Sequence, residues 1–203
     1  MWFAGRTFHL FFEWASWNSL KLYHGRERMN YYGATELTES FRTVRKNTLL
    51  IAEEIPEAQY NFRAAPGVRS VGELLAHISV ACTLQYQLHG VTGRASFEGF
   101  DLKGLMTRVL AEESKVRSKA QTVDMLGESG EQWAGAVAGF SEEYLAQRIQ
   151  FPAGANPPSK IRFEMVLAVK EHEMHHRGQL MLIERMLGLV PHLTRNREAQ
   201  TSQ

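Results

Sequence analysis

The chain has 203 residues and a formal net charge of +1, with 44% of its residues apolar and 22% charged. These values fit one soluble globular domain, and the near-zero charge argues against a dedicated nucleic-acid-binding or polybasic membrane-binding surface. The single cysteine, Cys82, excludes an internal disulfide framework and a cysteine-rich zinc site. It fits a reducing compartment, so we expect a cytoplasmic protein. No stretch is apolar over the length that a membrane span needs.

Residues 1–28 differ in composition from the rest of the chain, because they contain three of its four tryptophans. Charged residues interrupt this aromatic segment and no small-residue cleavage site follows it, so we do not expect a secretory signal. Two interpretations are open. Either Met29 is the natural start and residues 1–28 are a misassigned upstream region, or these residues form an N-terminal anchor. We take 29–194 as the folded domain and 195–203 as a polar tail.

Two amphipathic helices are predicted in the first half of the domain. The first begins near Thr35, with Thr35 or Thr38 as its N-cap, and ends before Pro56. The second opens with Ser70-Val71-Gly72-Glu73, an S-x-x-E capping box, and ends near residue 90. Their apolar stripes are Leu37, Phe41, Val44, Thr48, Ile51 and Ile55 in the first helix, and Leu74, His77, Ala81, Leu84 and Leu88 in the second.

Two further helices are predicted in the second half. A connection over residues 90–118, with a short helix near 105–110, leads to a third long helix over about 119–140. The last long helix runs from about 160 to 187, and the tail from Arg195 is expected to be frayed. No convincing strand pattern is present. The predicted fold class is therefore all-α: a four-helix bundle with a long crossover between helices two and three.

Three histidines stand on apolar stripes. His172 and His176 are four residues apart and therefore share one face of the last helix, while His77 lies on the stripe of the second helix. Two imidazoles from one helix and a third from a facing helix could hold one divalent metal ion and leave a coordination position open. His175 competes with His176 but points to the flank, so we assign it to the surface or to a supporting position. We expect the remaining histidines to be exposed at termini or helix ends: His9, His24, His89 and His192.

Residues 172–176 also spell H-E-x-x-H, the pattern of zinc metallopeptidases, in which Glu173 would act as the general base. Such an enzyme needs a third ligand downstream and an edge strand that binds the peptide backbone, and the sequence offers neither convincingly. We therefore disfavour a peptidase. A histidine-rich surface helix, or histidines that serve only as hydrogen-bonded core residues, are the simpler alternatives to a metal site.

Three neighbouring polar residues have two interpretations each. Gln179 continues the histidine face and could orient a substrate or a ligand, or it could be a buried polar group in helix packing. Glu73 could accept the second N–H of His77, or it could only close the capping box. Cys82 is five residues after His77 and points elsewhere, so we expect a buried, inert thiol.

The segment Ser-Val-Gly-Glu-Leu-Leu-Ala-His that ends at His77, together with His-Glu-x-x-His-Arg-Gly-Gln from His172, resembles the DinB/YfiT-like superfamily. The resemblance extends over roughly residues 31–191 and includes the lead-in Tyr60-Asn61-Phe62-Arg63. It implies a four-helix bundle with a long crossover, often dimeric. It also implies a divalent metal ion held by His77, His172 and His176. Members of the family include transferases and isomerases that depend on bacterial low-molecular-weight thiols, and many members without a known activity.

These observations lead to two classes of function. The first is a metal-dependent enzyme, a thiol S-transferase or a hydrolase, that acts on a small molecule and could use a low-molecular-weight thiol as co-substrate. The second is a non-catalytic metal-binding stress protein. Zinc and nickel both suit imidazole ligands. A metal ion held by three neutral imidazoles keeps its full charge and lowers the pKa of bound water or thiol, which serves either chemistry.

Overall fold

The computed structural model describes residues 32–201, and this part of the chain is predominantly helical. Its helices are α1 Ala34–Glu54, α2 Val71–Gln85, α3 Leu102–Glu113, α4 Lys119–Ala138, α5 Glu142–Leu145, α6 Arg162–Met186 and α7 His192–Thr201. A 3₁₀ turn (Glu57–Gln59) follows α1, and a π-helical turn (Tyr86–Val91) follows α2. The two strands are β1 Arg148–Gln150 and β2 Ser159–Ile161. The predicted start at Met29 and the segment 1–28 lie outside the described residues.

The four long helices α1, α2, α4 and α6 form the predicted bundle. α1 and α2 each pack against both α4 and α6, and α3 packs on α2 from outside the four-helix core. The connection between α2 and α4 contains the π-helical turn and α3, so the long crossover between the second and third long helices is confirmed.

The capping residue of α2 is predicted correctly, whereas that of α1 is not. The N–H of Glu73 donates to Ser70 Oγ at 3.3 Å, and the N–H of Ser70 donates to Glu73 Oε2 at 2.9 Å. In α1 the residue before the helix is Gly33, whose N–H donates to Glu36 Oε2 at 2.8 Å. Thr38 cannot cap, because it already lies in the helix and its hydroxyl donates to the Ala34 carbonyl.

A short antiparallel hairpin corrects the prediction that the chain has no strands. In it Arg148 pairs with Ile161 and Gln150 with Ser159. Three residues per strand are too few for a recognisable alternation of apolar and polar residues. The hairpin nevertheless matters to the bundle, because Ile149 is fully buried and β2 leads directly into α6.

Three groups of buried side chains fix the relative positions of these elements. One group joins α1, α2, α4 and α6 near one end of the bundle and includes Ile51, Leu75, Ile78, Leu126 and Leu180. A second surrounds Trp133, and a third attaches the crossover through Leu105 and Val109 to Val80 and Ile149. Each fully buried large aliphatic side chain stabilises the fold by about 1.5–3 kcal/mol relative to exposure. The facing surfaces of α2 and α6 are therefore rigidly placed.

The last described segment differs from the expected frayed tail, because His192–Thr201 forms α7. A side-chain contact explains the difference: Arg185 Nη2 in α6 donates to Thr194 Oγ1 at 2.8 Å. The division of the chain at residues 194 and 195 stays a prediction. Among residues 32–201, no helix combines the length and the apolar character required to cross a membrane.

Candidate metal centre

The structure brings His77, His172 and His176 together at the interface between α2 and α6. One ring nitrogen from each lies within 4.8 Å of the others. The Nε2 atom of His172 is 3.1 Å from Nε2 of His77 and 3.1 Å from Nε2 of His176. The predicted juxtaposition therefore exists, and it places three Nε2 atoms around one point.

This spacing fits a divalent metal ion. Two nitrogens that bind one zinc ion at about 2.0–2.1 Å, at angles between octahedral and tetrahedral, lie about 2.9–3.4 Å apart. Both Nε2 separations fall in this range. Without an ion, a close contact between two Nε2 atoms needs a proton between them. Otherwise the lone pairs of the two nitrogens would face each other. The three histidines could therefore hold a metal ion.

Two of the three imidazoles are held in the orientation that a metal ligand needs. His77 Nδ1 lies 2.9 Å from Glu113 Oε2, and His176 Nδ1 lies 2.8 Å from Gln179 Oε1. Both partners are acceptors, so the ring proton stays on Nδ1 and the lone pair of Nε2 points to the centre of the triad. Gln179 is exposed, so it is not a buried polar group in helix packing. Its side chain instead orients His176.

The partner of His77 is Glu113 in the crossover helix α3, a residue that the sequence did not indicate. Glu73, the candidate for this position, instead closes the capping box and pairs with Arg63. Burial alone would raise the pKa of Glu113. However, hydrogen bonds from Arg69 and His77 outweigh burial and lower it, so the carboxylate stays charged. Arg69 Nε donates to Glu113 Oε1 at 2.6 Å.

Burial favours the neutral form of two histidines in α6, His172 and His176. Burial, followed by the neighbouring histidines, lowers the pKa of His172 to about 4. The pKa of His176 is also lowered, chiefly by burial, although the hydrogen bond to Gln179 opposes the change. Only a neutral imidazole can bind a metal ion, so the lowered pKa values of His172 and His176 favour their ligand form at neutral pH.

Glu173, the glutamate of the H-E-x-x-H pattern, points away from the triad and into the core. Its side chain is 1% exposed and pairs with Arg45 of α1 at 2.9 Å. Arg45 also donates to Ser129 Oγ and to the Leu126 carbonyl. It passes so close to Gly130 that a Cβ at that position would lie 2.8 Å from its Nη1. As a buried counter-ion of Arg45, Glu173 cannot serve as the general base of a peptidase. This agrees with the sequence analysis, which disfavours a peptidase.

The remaining histidines divide into correct and incorrect predictions. His175 is exposed, as expected. His89 and His192 are buried, contrary to expectation. His89 Nδ1 lies 2.9 Å from Arg162 Nη1, and His192 Nε2 lies 3.2 Å from Asn47 Oδ1. His89 lies in the π-helical turn that continues α2 and His192 begins α7, so both belong to helical segments of the structure. His9 and His24 lie outside the described residues.

The single thiol plays no part in the site. Cys82 is buried, as predicted, and its Sγ lies 3.4 Å from the Ser129 carbonyl oxygen. Burial raises its pKa to about 12. The thiol is therefore protonated at neutral pH and is neither a metal ligand nor a nucleophile.

A cavity of about 680 Å³ opens beside the triad, and we call it the Arg69 cavity. His176, Gln179 and Glu113 bring the triad and its supporting residues to its wall, and Arg69 adds a guanidinium group. Leu74 and Ile183 provide apolar surface on the same wall. This volume lies in the range of small-molecule pockets.

Comparison with solved structures finds similar folds, two of them in proteins from Bacillus subtilis. One is the DinB-like protein YjoA, at 19% identity and a TM-score of 0.57, covering 75% of this chain and 92% of that chain. The other is YfiT, at 13% identity and a TM-score of 0.59, covering 82% and 94%. YfiT is described as a probable metal-dependent hydrolase with an unusual four-helix bundle topology.

A family model gives the family directly. Among curated proteins no match is found. The model described as the DinB superfamily matches residues 40–180, which contain α1 from Ser40 on, all of α2 and α4, α6 as far as Leu180, and all three histidines of the triad. With more than half of its length matched, the chain belongs to the DinB superfamily.

Proposed function

We propose that this protein is a divalent-metal-dependent enzyme, a hydrolase, that acts on a small molecule bound in the Arg69 cavity. One observation carries the proposal: three histidine Nε2 atoms converge beside a cavity of about 680 Å³, and acceptors hold two of the rings in place. A purely structural site needs neither an adjacent cavity nor an open coordination position. Zinc and nickel are the metals that suit this donor set best.

The chemistry divides between the ion and the chain. A divalent ion in such a site acts as a Lewis acid and lowers the pKa of a water molecule or thiol that it binds. Glu113 and Gln179 hold the protons of His77 and His176 on Nδ1. Arg69 offers a cation, with its side chain 41% exposed, to an anionic or strongly polar part of the substrate. Leu74 and Ile183 provide apolar surface in the lining of the same cavity.

The description of YfiT as a probable metal-dependent hydrolase supports this choice, because the two chains share their fold. A thiol that attacks in place of water would make the protein a thiol S-transferase, with a low-molecular-weight thiol as co-substrate. A non-catalytic metal-binding protein would use the same triad without turnover. The experiments below separate these three cases.

Metal content tests the site itself. We expect purified wild-type protein to bind close to one equivalent of zinc or nickel, measured by elemental analysis after dialysis against each ion. His77→Ala, His172→Ala and His176→Ala should each lose most of it. His175→Ala is the matched control, because it removes an exposed imidazole from the same helix and should leave the metal content unchanged. Equal metal content in all five proteins would overturn the proposal.

Turnover tests the enzyme class. The metal-loaded protein is incubated with small esters, amides and thioesters, and separately with small electrophiles in the presence and absence of a thiol. Hydrolysis that needs the metal ion supports the hydrolase, and product formation that needs a thiol supports the transferase. Stoichiometric metal binding without turnover of any substrate supports the non-catalytic protein and contradicts our proposal.

A further inference from the structure

We infer that a second cleft beside the triad is a substrate subsite, and that Gln85 recognises an uncharged hydrogen-bond donor there. The subsite lies on the opposite side of the triad from the Arg69 cavity. The inference rests on the proposed function, because it concerns the substrate of the same metal centre. We call this feature the Gln85 cleft; its volume is about 270 Å³, and its lining is Ala81, Leu84, Gln85, Met165, Ala168, Val169 and His172.

The position of the cleft follows from how α2 and α6 face each other. Leu74 and Ile183 line the Arg69 cavity, His77 meets His172, and Ala81 and Ala168 line the Gln85 cleft. Residue numbers rise along α2 while they fall along α6, so the two helices are antiparallel. The triad therefore lies between the two spaces, and a molecule bound at the triad can extend into both.

The two alanines create the space. Ala81 is one turn after His77, and Ala168 is one turn before His172, so both lie next to the triad on its own face. Larger side chains at these positions would fill the gap between the helices. His172 contributes to the wall of the cleft, and its Nε2 belongs to the triad. A group in the cleft is thus adjacent to the metal centre.

Beside His172, the lining of the cleft contains the amide side chain of Gln85. Its Oε1 atom is buried and has no hydrogen-bond partner among residues 32–201. A buried acceptor left in this state is unfavourable, because it has lost its hydrogen bonds to water. Rotation of the amide about the last side-chain bond would bring this oxygen to the cleft that Gln85 lines, where a ligand N–H or O–H would satisfy it. The unsatisfied oxygen is therefore the feature that gives the cleft a preference for a particular ligand.

The lining also defines the class of ligand. Leu84, Met165 and Val169 are apolar, and no Asp, Glu, Lys or Arg among residues 32–201 lines the cleft. Burial of a charged group here would be costly without a partner. The Gln85 cleft therefore suits a compact, uncharged, largely aliphatic group that ends in a hydroxyl or amide N–H. Charged or strongly polar parts of the same substrate fit the Arg69 cavity instead.

Matched pairs of thiols test this assignment, because a thiol binds the metal ion and its tail probes the cleft. 2-Mercaptoethanol and 1-propanethiol differ only in a terminal hydroxyl or methyl group, and 3-mercapto-1-propanol and 1-butanethiol form a longer pair. Each is titrated into zinc-loaded wild-type protein and followed through the side-chain amide NMR signals of Gln85. These signals are assigned by their absence in Gln85→Leu.

In one of the two pairs we expect the hydroxyl thiol to bind about two- to tenfold more tightly than its methyl counterpart and to shift the Gln85 signals. Gln85→Leu should reverse this preference while its zinc content stays at the wild-type value. Gln87→Leu is the matched control and should keep the wild-type preference. Ala168→Met, at an exposed position, should weaken all four thiols by filling the cleft.

The same preference in wild type and Gln85→Leu for both pairs would overturn the inference, as would unchanged binding to Ala168→Met. Failure of the proposed function has a different signature. In that case zinc content is low in wild type, while the hydroxyl compounds still shift the Gln85 signals of metal-free protein at higher concentration. Metal-free protein without such shifts counts against the cleft independently of the metal.

Discussion

Arg45 donates from Nε and Nη2 to the two carboxylate oxygens of Glu173, each at 2.9 Å, and both side chains are almost completely buried. This ion pair joins α1 to the helix that carries two of the three histidines. Glu173 follows His172 directly in sequence, so one residue faces the triad and the next faces the core. The pair therefore fixes the rotation of α6 about its own axis.

Replacement of Glu173 should affect stability and leave the metal centre intact. Glu173→Gln leaves the buried guanidinium of Arg45 without a counter-ion, which should lower the free energy of unfolding by about 3–5 kcal/mol. Urea unfolding measures this loss, and metal content of the folded variant should match wild type. Glu171→Gln, on the exposed face, is the control and should change stability by less than about 0.5 kcal/mol. A stable variant that binds metal but lacks turnover would instead restore a catalytic role for Glu173.

Removal of the Glu113 carboxylate should weaken metal binding without removing a ligand. Glu113→Gln takes the charge from the acceptor of the His77 Nδ1 proton, and we expect about a 10- to 100-fold loss of zinc affinity. Competition with a chromophoric chelator measures the affinity. The neighbouring Glu112 forms exposed ion pairs with Lys115 and Arg117, so Glu112→Gln should bind zinc as wild type does. Equal affinities for the two variants would contradict the orienting role of Glu113.

Gln179 should contribute less to metal binding than Glu113, because its amide oxygen is a neutral acceptor. Gln179→Leu removes the partner of His176 Nδ1, and we expect zinc affinity to fall by up to about tenfold. The amide of Gln179 also lies 3.4 Å from His175 Nε2, so His175→Ala serves as the control for loss of that contact. The same chelator competition applies. A loss larger than that of Glu113→Gln would show that Gln179 does more than accept one hydrogen bond.

His89 should make the fold sensitive to acid. Burial and the nearby Arg162 lower its pKa from 6.5 to about 4 in the folded chain. Between these values the unfolded chain binds the additional proton, so the stabilisation is complete above about pH 6.5 and is lost as the pH falls toward 4. Between pH 7 and pH 5 the free energy of unfolding should fall by up to about 2 kcal/mol from this group.

The variant His89→Gln isolates that contribution. It removes the titrating group, and its loss of stability between pH 7 and pH 5 should be smaller than that of wild type. Other acid-sensitive groups, His172 among them, contribute equally to both proteins and cancel in the comparison. Urea unfolding at each pH measures the stability of both proteins. Identical pH dependence would mean that His89 is protonated as readily in the folded chain as in the unfolded one.

The long helices and the triad were predictable because both depend on periodicity. A stripe that repeats every three or four residues marks a helix and its buried face, and His77, His172 and His176 all lie on such stripes. No such repeat in the sequence indicates the residues that support the triad. Glu113 reaches His77 because α3 packs on α2, a contact across 36 residues that no local pattern specifies.

The same reasoning explains the contacts that were not predicted and the predictions that were wrong. Arg45 and Glu173 are 128 residues apart, so nothing in either neighbourhood reveals that they pair. The burial of His89 depends on Arg162, which is 73 residues away in the chain. The hairpin strands have three residues each and are stabilised by the bundle on which they pack. Contacts of this kind belong to the folded molecule and not to any segment of it.

The separation of His77 from His172 by 95 residues has a thermodynamic consequence. In the unfolded chain these imidazoles are rarely near each other, because closing so long a loop is entropically unfavourable. An ion bound by all three histidines is therefore bound by the native state alone, and its binding free energy adds to that of folding. At a free metal concentration a hundred times the dissociation constant, this linkage contributes about 2.7 kcal/mol. The availability of metal in the cell would then regulate how long the folded protein survives, in addition to whether it is active.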